Sequence, residues 1–547
     1  MRVRTSRRSF LSLMAIGSST MLLAACGQQA AAPAKPAEAP KPAEAPKPTA
    51  PAATAAPAAP AANTAPAAKT SAPAGKITIA QGADPRSLWS SSSTTQQEIN
   101  VSEQITEKLI EFNPDTNDFE ARLATEWKQF DDTTFQMKLR PNVMFTNGEP
   151  FNAEAAKFSI ETMIKAPSYA SFTSVIAGAD VVDPLTINVK TKTPTLLHIP
   201  ALAMGSFQYP LKYFQETGPD NFGRKPIGTG PYVFGEWVKD SNVTMEANPQ
   251  YWGGAPAIKT VIFRNIPEGA AKLAALEAGE VDLIIDVPLD AVERIERNNG
   301  LQLFSRPSNR MFNLTLSTLT DTPFKKAGVR QAMKYAVDVP AIMKGLFKGR
   351  ARQLDGQPLA KGFFGYDPNR KPIAYDPEKT KQMLAAAGFP DGFEVTFKYS
   401  SGRYAQDKET GQVIASQLAK VGIKTKQEVL ESGTFLNQLS KLELNDMYYS
   451  GSLPPPDAHF TFQTWQTGFR YSYYSNKELD ALIDKGAATA SRDERTKIYL
   501  QALDLIDKDP PGVPLFTPDD FYAGTKKVSG FVPRGSQFVD VKPITLG

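Results

Sequence analysis

The stretch from Glu268 to Ile285 reads EGAAKLAALEAGEVDLII and indicates the fold class. Leu273 and Leu276 recur at helical spacing, and Gly279 is the residue type that most often ends a helix. The apolar run from Val281 to Ile285 follows at once and predicts a buried strand. A helix that leads directly into such a strand is typical of an α/β fold.

The same alternation of helix and strand signals extends along the chain on both sides of this stretch. Toward the N-terminus, residues 77–80 predict a strand, and Phe135, Met137 and Leu139 alternate with polar residues as in a half-buried strand. Toward the C-terminus, the elements predicted are a helix starting at Asp376-Pro377 and ending at Gly388, a strand at 393–399, a helix at 407–421, a strand at 423–430 and a helix capped by Ser491.

Three loops are candidates for binding a ligand because each follows a predicted strand. In open α/β sheets, ligands bind beyond the carboxyl ends of the strands. The loops are residues 82–93, 286–290 and 400–406.

The first 25 residues resemble an export signal peptide rather than part of a domain. Arg2, Arg4, Arg7 and Arg8 precede an apolar run from Ser9 to Ala25. That run is short for a membrane-spanning helix, which needs about 20 apolar residues. Residues 6–11 also resemble a twin-arginine motif, so the sequence leaves the general and the twin-arginine export routes both open.

Cys26 follows this run directly, and the sequence from Leu23 to Gly27 resembles the lipobox of bacterial lipoproteins. The resemblance implies cleavage before Cys26 and attachment of a lipid to its thiol. The protein would then be anchored to the outer face of the cytoplasmic membrane, in the cell envelope. Residues 26–75 comprise this cysteine and a stretch rich in Ala and Pro. The stretch has no large apolar side chains, which predicts a disordered tether.

Composition excludes some classes of protein and bounds the architecture. Four of the 61 basic residues lie in the signal segment, which has no acidic residue, so the remainder carries 57 basic and 57 acidic residues. A nucleic-acid partner is therefore not expected, because such binding depends on clustered positive charge. The single cysteine permits no intramolecular disulfide, and the roughly 470 residues after the tether exceed what one core usually holds. At least two lobes are expected.

An ordered series of short motifs runs through nearly all of residues 76–547. They are LATEW (123–127), NGEPF (147–151), PIGTGPY (226–232), NPQYWGG (248–254), ALEAGEVD (275–282), VRQA (329–332) and AAAGFPDG (385–392). The series resembles the dipeptide-, oligopeptide- and nickel-binding proteins of bacterial ABC importers, which form family 5 of the extracellular solute-binding proteins.

This resemblance implies a two-lobed α/β clamp of the periplasmic-binding-protein type (type II, cluster C) with an extra subdomain on the first lobe. The implied boundaries are 76–312 for lobe 1, about 116–227 for its extra subdomain, 313–508 for lobe 2 and 509–547 for a return to lobe 1. The chain is expected to cross between the lobes near residues 310–316 and to return near Pro510. No catalytic residue, metal site or cofactor is implied, and a monomer is expected.

One loop departs from the pattern of the peptide-binding members of the family. Those members carry an Asp whose carboxylate meets the α-ammonium of the ligand, and an ungapped alignment places Ser452 at that position. A hydroxyl cannot replace a carboxylate opposite a buried cation. We therefore expect no peptide held by its amino terminus, unless the Pro454–Pro456 run turns Asp457 into that role.

Five further residues are candidates for contact with the ligand. Trp89 and Trp465 offer aromatic faces that can stack on a planar or sugar-like group. Arg310 beside Asn313, close to the expected crossing, and Arg403 in a strand-to-helix loop can pair with acidic groups. For each of the five, a packing or solvated role is the competing interpretation.

The sequence thus predicts an exported, lipid-anchored binding protein that captures a solute between two lobes and delivers it to the permease subunits of an ABC importer. A peptide, an oligosaccharide and a metal chelate remain open as ligands. Two other classes also remain open, namely a surface sensor or chaperone with the same clamp and an exported hydrolase with an unconventional site.

Overall fold

The computed structural model describes residues 72–92, 95–535 and 537–547, and the predicted signal peptide and Cys26 lie outside these ranges. The strands, numbered in chain order, are β1 Ala74–Gln81, β2 Ile110–Asn113, β3 Asp118–Ala121, β4 Ala124–Asp131, β5 Thr134–Leu139, β6 Ile176–Asp183, β7 Thr186–Thr191, β8 Tyr232–Val238, β9 Asn242–Ala247, β10 Ile258–Asn265, β11 Leu283–Ile285, β12 Leu301–Pro307, β13 Met311–Leu316, β14 Ala351–Gln353, β15 Phe393–Ser401, β16 Ile423–Glu431, β17 Met447–Ser452, β18 Gly512–Thr525, β19 Val528–Ser529 and β20 Thr545–Leu546.

The helices lie between these strands and follow the same numbering. They are α1 Gln96–Ser102, α2 Ala153–Lys165, α3 Ala170–Thr173, α4 His198–Gly205, α5 Leu211–Phe222, α6 Gly269–Glu277, α7 Val292–Glu296, α8 Ala327–Met333, α9 Val339–Leu346, α10 Pro377–Ala386, α11 Asp407–Ala419, α12 Ser432–Ser440, α13 Ala458–Phe462, α14 Lys477–Ala487 and α15 Arg492–Lys508. In the part of the chain that the structure describes, every helix is too short or too polar to traverse a lipid bilayer.

Local sequence signals account for many of these boundaries. Asp376 accepts a hydrogen bond from the Lys379 amide and Pro377 occupies the first turn of α10, as predicted. Gly388, just beyond the end of that helix, has a φ of 90°, a conformation that glycine adopts at low cost. The prediction of alternating burial along β5 is confirmed, since Phe135, Met137 and Leu139 are all buried.

One mixed sheet contains most of the strands and joins the two halves of the chain. Its order is β16-β15-β17-β13-β18-β11-β1-β10-β9-β8, and β12 and β14 also pair with β18. β15 is parallel to β16 and β17, and β1 is parallel to β10 and β11. Each half of the sheet therefore has its own set of parallel strands, as an α/β fold requires.

β18 is the strand that connects the two halves. Its first part pairs antiparallel with β13, where Phe516 is opposite Phe312, and its later part pairs with β11, where Tyr522 is opposite Ile285. β12 and β13 run alongside it, one on each half. Residues 301–316 and 512–525 thus form two adjacent connections between the halves of the sheet.

Residues 124–191 form a separate antiparallel sheet of order β4-β5-β7-β6. One face of this sheet buries Phe135, Met137 and Val189 in a core of its own with α2, whose N-cap is Asn152. This sheet lies within the range predicted for the extra subdomain.

Candidate functional site

The register of β18 brings the carboxyl ends of both sets of parallel strands toward its centre. β17 ends at Ser452, opposite Met311 at the start of β13, and Phe312 is opposite Phe516. From the other half, β11 ends at Ile285, which is opposite Tyr522, and β1 runs parallel beside it. The predicted ligand loops therefore converge on the middle of β18, at the two crossings.

The loop after β15 is held rigidly by Asp407, a residue that sequence reasoning did not single out. Its buried carboxylate accepts hydrogen bonds from the amides of Gly402, Arg403 and Tyr404 at 3.0–3.2 Å. It also accepts bonds from the Lys408 amide and the Ser400 hydroxyl. The carboxylate is therefore saturated by local donors, and the loop backbone is fixed.

Arg310 and Arg403, from different segments, meet at the ring of Tyr404. Their guanidinium carbons lie 5.2 and 5.0 Å from the ring centroid. The Tyr404 hydroxyl accepts a bond from Arg403 Nε at 2.7 Å and donates to the Gly451 carbonyl at 2.9 Å. Within the described residues neither guanidinium has a carboxylate partner. The structure thus brings together the two arginines predicted to contact the ligand.

Gly451 allows this arrangement because the stem of Arg310 lies directly on it. A Cβ at residue 451 would come within 3.0 Å of Arg310 Cδ and 2.9 Å of Phe312 Cε1. Ser452, the next residue, is half-buried beside the start of β13. Asn313 lies two residues into that strand, and its Oδ1 is buried with no hydrogen-bond partner among the described residues.

Trp89 lies on the other half of the molecule, in the predicted loop after β1. It is half-buried and its ring is 5.8 Å from that of Phe214. Trp89 thus packs against the small core that contains Phe214.

Asp457 has a partner inside the protein. Its carboxylate receives two 2.7 Å hydrogen bonds from the guanidinium of Arg495, and both side chains are buried. It also accepts the His459 amide at the start of α13. Burial alone would lower the pKa of Arg495, but the charge of Asp457 raises it. In this conformation the carboxylate is not free to meet a ligand ammonium.

Trp465 is a core residue, only 8% exposed, with its ring stacked on that of Phe462 at 6.4 Å. His459 lies in the same region, and burial lowers its pKa to about 4. The described residues do not gather three or more His, Cys, Asp or Glu side chains in a way that could hold a metal ion.

Two contacts link residues between 116 and 227 to the second half of the chain. The ring of Phe172 on α3 makes an edge contact with that of Phe460 on α13 at 5.6 Å. The side chain of Asn117 lies over Gly362, since a Cβ at 362 would come within 2.1 Å of Asn117 Oδ1. These two parts of the chain are therefore in contact in this structure.

Two of the sequence motifs meet at Glu107, which is buried and was not predicted to matter. Its carboxylate accepts bonds from the hydroxyls of Thr229 and Tyr251 at 2.9 and 2.6 Å and from the Trp252 indole at 2.7 Å. Burial raises the pKa of Glu107, while these three donors act in the opposite direction. A Cβ on Gly228 would come within 1.9 Å of the Ile105 carbonyl oxygen, so the motif glycine is required for this close approach. These motifs are structural.

Comparison with known proteins defines the class to which this fold belongs. The model of the bacterial extracellular solute-binding proteins, family 5 Middle, matches residues 118–473. The chain belongs to this family of extracellular solute-binding proteins. The predicted resemblance and the predicted two-lobed α/β fold class are both confirmed.

Individual relatives show the range of ligands within this class. The chain is 29% identical over 431 residues to the glutathione-binding protein GsiB of Escherichia coli K12, covering 75% of this chain and 82% of that protein. It is 26% identical to the periplasmic binding protein DppA of Helicobacter pylori in complex with the peptide STSA, with a TM-score of 0.72 and 86% and 98% of the two chains covered. It is also 26% identical to AgaA of A. tumefaciens R10 in complex with agropinic acid, with a TM-score of 0.73 and 86% and 99% covered.

Proposed function

We propose that this protein is the lipid-anchored solute-binding subunit of an ABC importer, which captures a solute between its two lobes and delivers it to the permease. The observation that carries the proposal is the convergence of strand ends from both halves of the sheet on the middle of β18. A solute bound there contacts both halves at once. Ligand contacts with both halves favour the closed state over the open one.

The proposed lobes keep the boundaries 76–312, 313–508 and 509–547, with the extra subdomain at about 116–227. The crossings at β12–β13 and β18 serve as the hinge between them. The contacts of Phe172 with Phe460 and of Asn117 with Gly362 then form only when the lobes close. These contacts contribute part of the free energy of closure, and binding of the ligand supplies the rest. For comparison, a micromolar dissociation constant corresponds to a binding free energy of about 8 kcal/mol.

We assign ligand binding to Asn313, Arg403 and Ser452 on the second lobe and to Arg310 at the crossing that ends the first. Trp89 is the further candidate on the first lobe. Asp457 and Trp465 are assigned structural roles because the first is paired with Arg495 and the second is packed in the core. The names of the relatives favour a medium-sized solute, since they bind glutathione, the peptide STSA and agropinic acid.

The proposed location is the outer face of the cytoplasmic membrane, with anchoring through a lipid on Cys26. The Ala- and Pro-rich tether at 26–75 would let the monomeric clamp move between bulk solute and the permease. Neither an enzymatic reaction nor a nucleic-acid partner is part of the proposal.

Native mass spectrometry of the protein, purified without denaturation, tests capture by showing a bound small molecule. Uptake of that molecule by cells that lack the gene, complemented with the wild type or with Cys26→Ala, tests delivery and anchoring. We expect a retained ligand, loss of uptake on deletion, and release of the protein from the membrane by Cys26→Ala. Uptake that is unchanged by deletion, or turnover of the bound molecule, would count against the proposal.

A further inference from the structure

Arg310 and Arg403 place two positive charges at the ring of Tyr404, and among the described residues neither has a carboxylate within ion-pair distance. Both guanidinium groups lie about 5 Å from the centre of the Tyr404 ring, and neither forms an ion pair within the described ranges. We propose that the ligand is a dianion, with two acidic groups bound by Arg310 and Arg403, and that it needs no ammonium group next to Ser452. This inference rests on the proposed function and names the class of solute that the site takes.

Two carboxylates that are near the pair in the sequence are engaged by other described residues. The carboxylate closest to Arg403 along the chain, Asp407, is fully engaged by the amides of its own loop and the Ser400 hydroxyl. Asp457, six residues after Gly451, is bound by Arg495. Two neighbouring cations repel each other, and an anion between them relieves that repulsion. Guanidinium groups bind carboxylates and phosphates through paired hydrogen bonds.

The geometry of the pair is preorganised. Arg403 is fixed at its Nε by the Tyr404 hydroxyl, which leaves its terminal nitrogens available. The stem of Arg310 is laid on Gly451, and its guanidinium makes no hydrogen bond to another described residue. Both groups adjoin the crossing between β12 and β13, so a ligand that binds them also acts at the hinge.

Ser452 provides a second, independent reason to expect an acidic ligand. Ser452 is paired with Met311, the residue that follows Arg310, and its side chain carries no charge. An ammonium group placed there would lie beside Gly451, on which the stem of Arg310 rests, and Ser452 would offer it no carboxylate. The site therefore discriminates against a free amine at this position and in favour of a second acid.

A thermal-shift and calorimetric panel on the wild-type protein tests the inference. The probes are the linear dicarboxylates from succinate to azelate, glutathione, N-acetylglutathione, the diethyl ester of glutathione, and neutral zwitterionic dipeptides. We expect binding by at least one probe with two free acids, no loss on N-acetylation, and loss of at least tenfold in affinity on esterification. Binding restricted to zwitterions or esters, or no binding by any diacid, would overturn the inference.

Charge-removing variants then assign the two acids. Arg310→Gln and Arg403→Gln should each lower diacid affinity by about 10- to 100-fold, the loss of one charge-assisted hydrogen-bonded pair. Arg297→Gln, which changes an exposed arginine on the surface, is the matched control and should leave affinity unchanged. Ser452→Asp should weaken diacid binding and strengthen binding of dipeptides with a free amine.

These results separate this inference from the proposed function. A co-purified or panel ligand that closes the clamp but carries no acid pair overturns the dianion inference alone. A protein that binds a diacid without closure, or whose deletion does not affect uptake, contradicts the proposed function instead.

Discussion

Replacing Asp457 with asparagine decides whether this carboxylate serves the fold or the ligand. Asparagine has the same shape and can still cap α13, so the substitution chiefly removes the charge. In the wild type, Arg495 donates two 2.7 Å bonds to Asp457, one to the Gly486 carbonyl at 3.0 Å and one to the Tyr499 hydroxyl at 2.9 Å. The Asp457→Asn variant would therefore leave a guanidinium buried without its counter-ion.

The magnitude follows from the burial of both partners. The side chains of Asp457 and Arg495 are 6% and 2% exposed, so solvent screens neither charge. Removing one partner of a buried pair costs about 3–5 kcal/mol. For a lobe of this size, such a loss corresponds to a melting temperature lower by on the order of 10 °C.

Urea denaturation and calorimetry measure this loss of stability. Two further variants serve as a control and as a rescue. Asp504→Asn removes the partner of Arg370 in an ion pair whose aspartate is 66% exposed, and it should cost less than about 1 kcal/mol. Adding Arg495→Met to Asp457→Asn removes the unpaired charge and should recover part of the stability. Ligand affinity of Asp457→Asn, measured well below its melting temperature, should stay close to that of the wild type.

The opposite pattern of results would refute this structural role. If Asp457→Asn leaves the free energy of unfolding unchanged and abolishes ligand binding, then the carboxylate faces the ligand and its pairing with Arg495 is not the working state.

Three other substitutions test separate parts of the account. Gly451→Ala places a Cβ 3.0 Å from Arg310 Cδ and 2.9 Å from the buried ring of Phe312. It should lower ligand affinity, measured by calorimetry, by about 10-fold or more, the loss of one charged hydrogen bond, and lower stability by about 1–3 kcal/mol. Phe172→Ala removes the ring contact with Phe460, which is worth about 0.5–1.5 kcal/mol. Ligand binding should therefore weaken about 2- to 10-fold. An unchanged affinity would show that the contact does not contribute to closure. Burial lowers the pKa of His459 to about 4 in the folded protein, whereas its value in the unfolded chain is about 6.5. Between pH 6.5 and pH 4 the unfolded chain therefore binds a proton that the folded protein does not. Stability should fall by up to roughly 3 kcal/mol from pH 6.5 to pH 4 through this residue, and His459→Gln should flatten urea midpoints measured across that range.

The elements set by local signals could be predicted from the sequence. Asp376-Pro377 and Gly388 bound α10 as predicted, and the helix and strand around Gly279 form at nearly the predicted positions, with the strand limited to Leu283–Ile285. Capping, φ preference and burial periodicity each depend on a few neighbouring residues. They can therefore be recognised in a single sequence.

The parts of the site that depend on distant partners could not be predicted in the same way. Asp457 looked like a possible ligand contact because nothing near it in the sequence reveals Arg495, which is 38 residues away. Glu107 and Tyr251 are 144 residues apart, and only the fold joins them. Arg310 and Arg403 were chosen separately, from their positions near a crossing and in a loop. Their common contact with Tyr404 follows from the pairing of β13, β17 and β15.

Asp407 shows a signal that could have been recognised. An Asp that begins a helix directly after a strand and a Gly-containing loop commonly receives the amides of that loop. Reading the residues from Ser400 to Asp407 as one unit would have predicted a rigid loop and strengthened the case for Arg403.

The distance between the two lobes, with and without ligand, tests the central claim most directly. Cys26 is the only cysteine, so a Cys26→Ser chain with new cysteines at Thr116 and Lys361 can carry two spin labels next to the contact of Asn117 with Gly362. Double electron–electron resonance should give a long, broad distribution of distances between the two spin labels without ligand and a single short distance with ligand. The same distribution in both states would contradict capture by closure of two lobes.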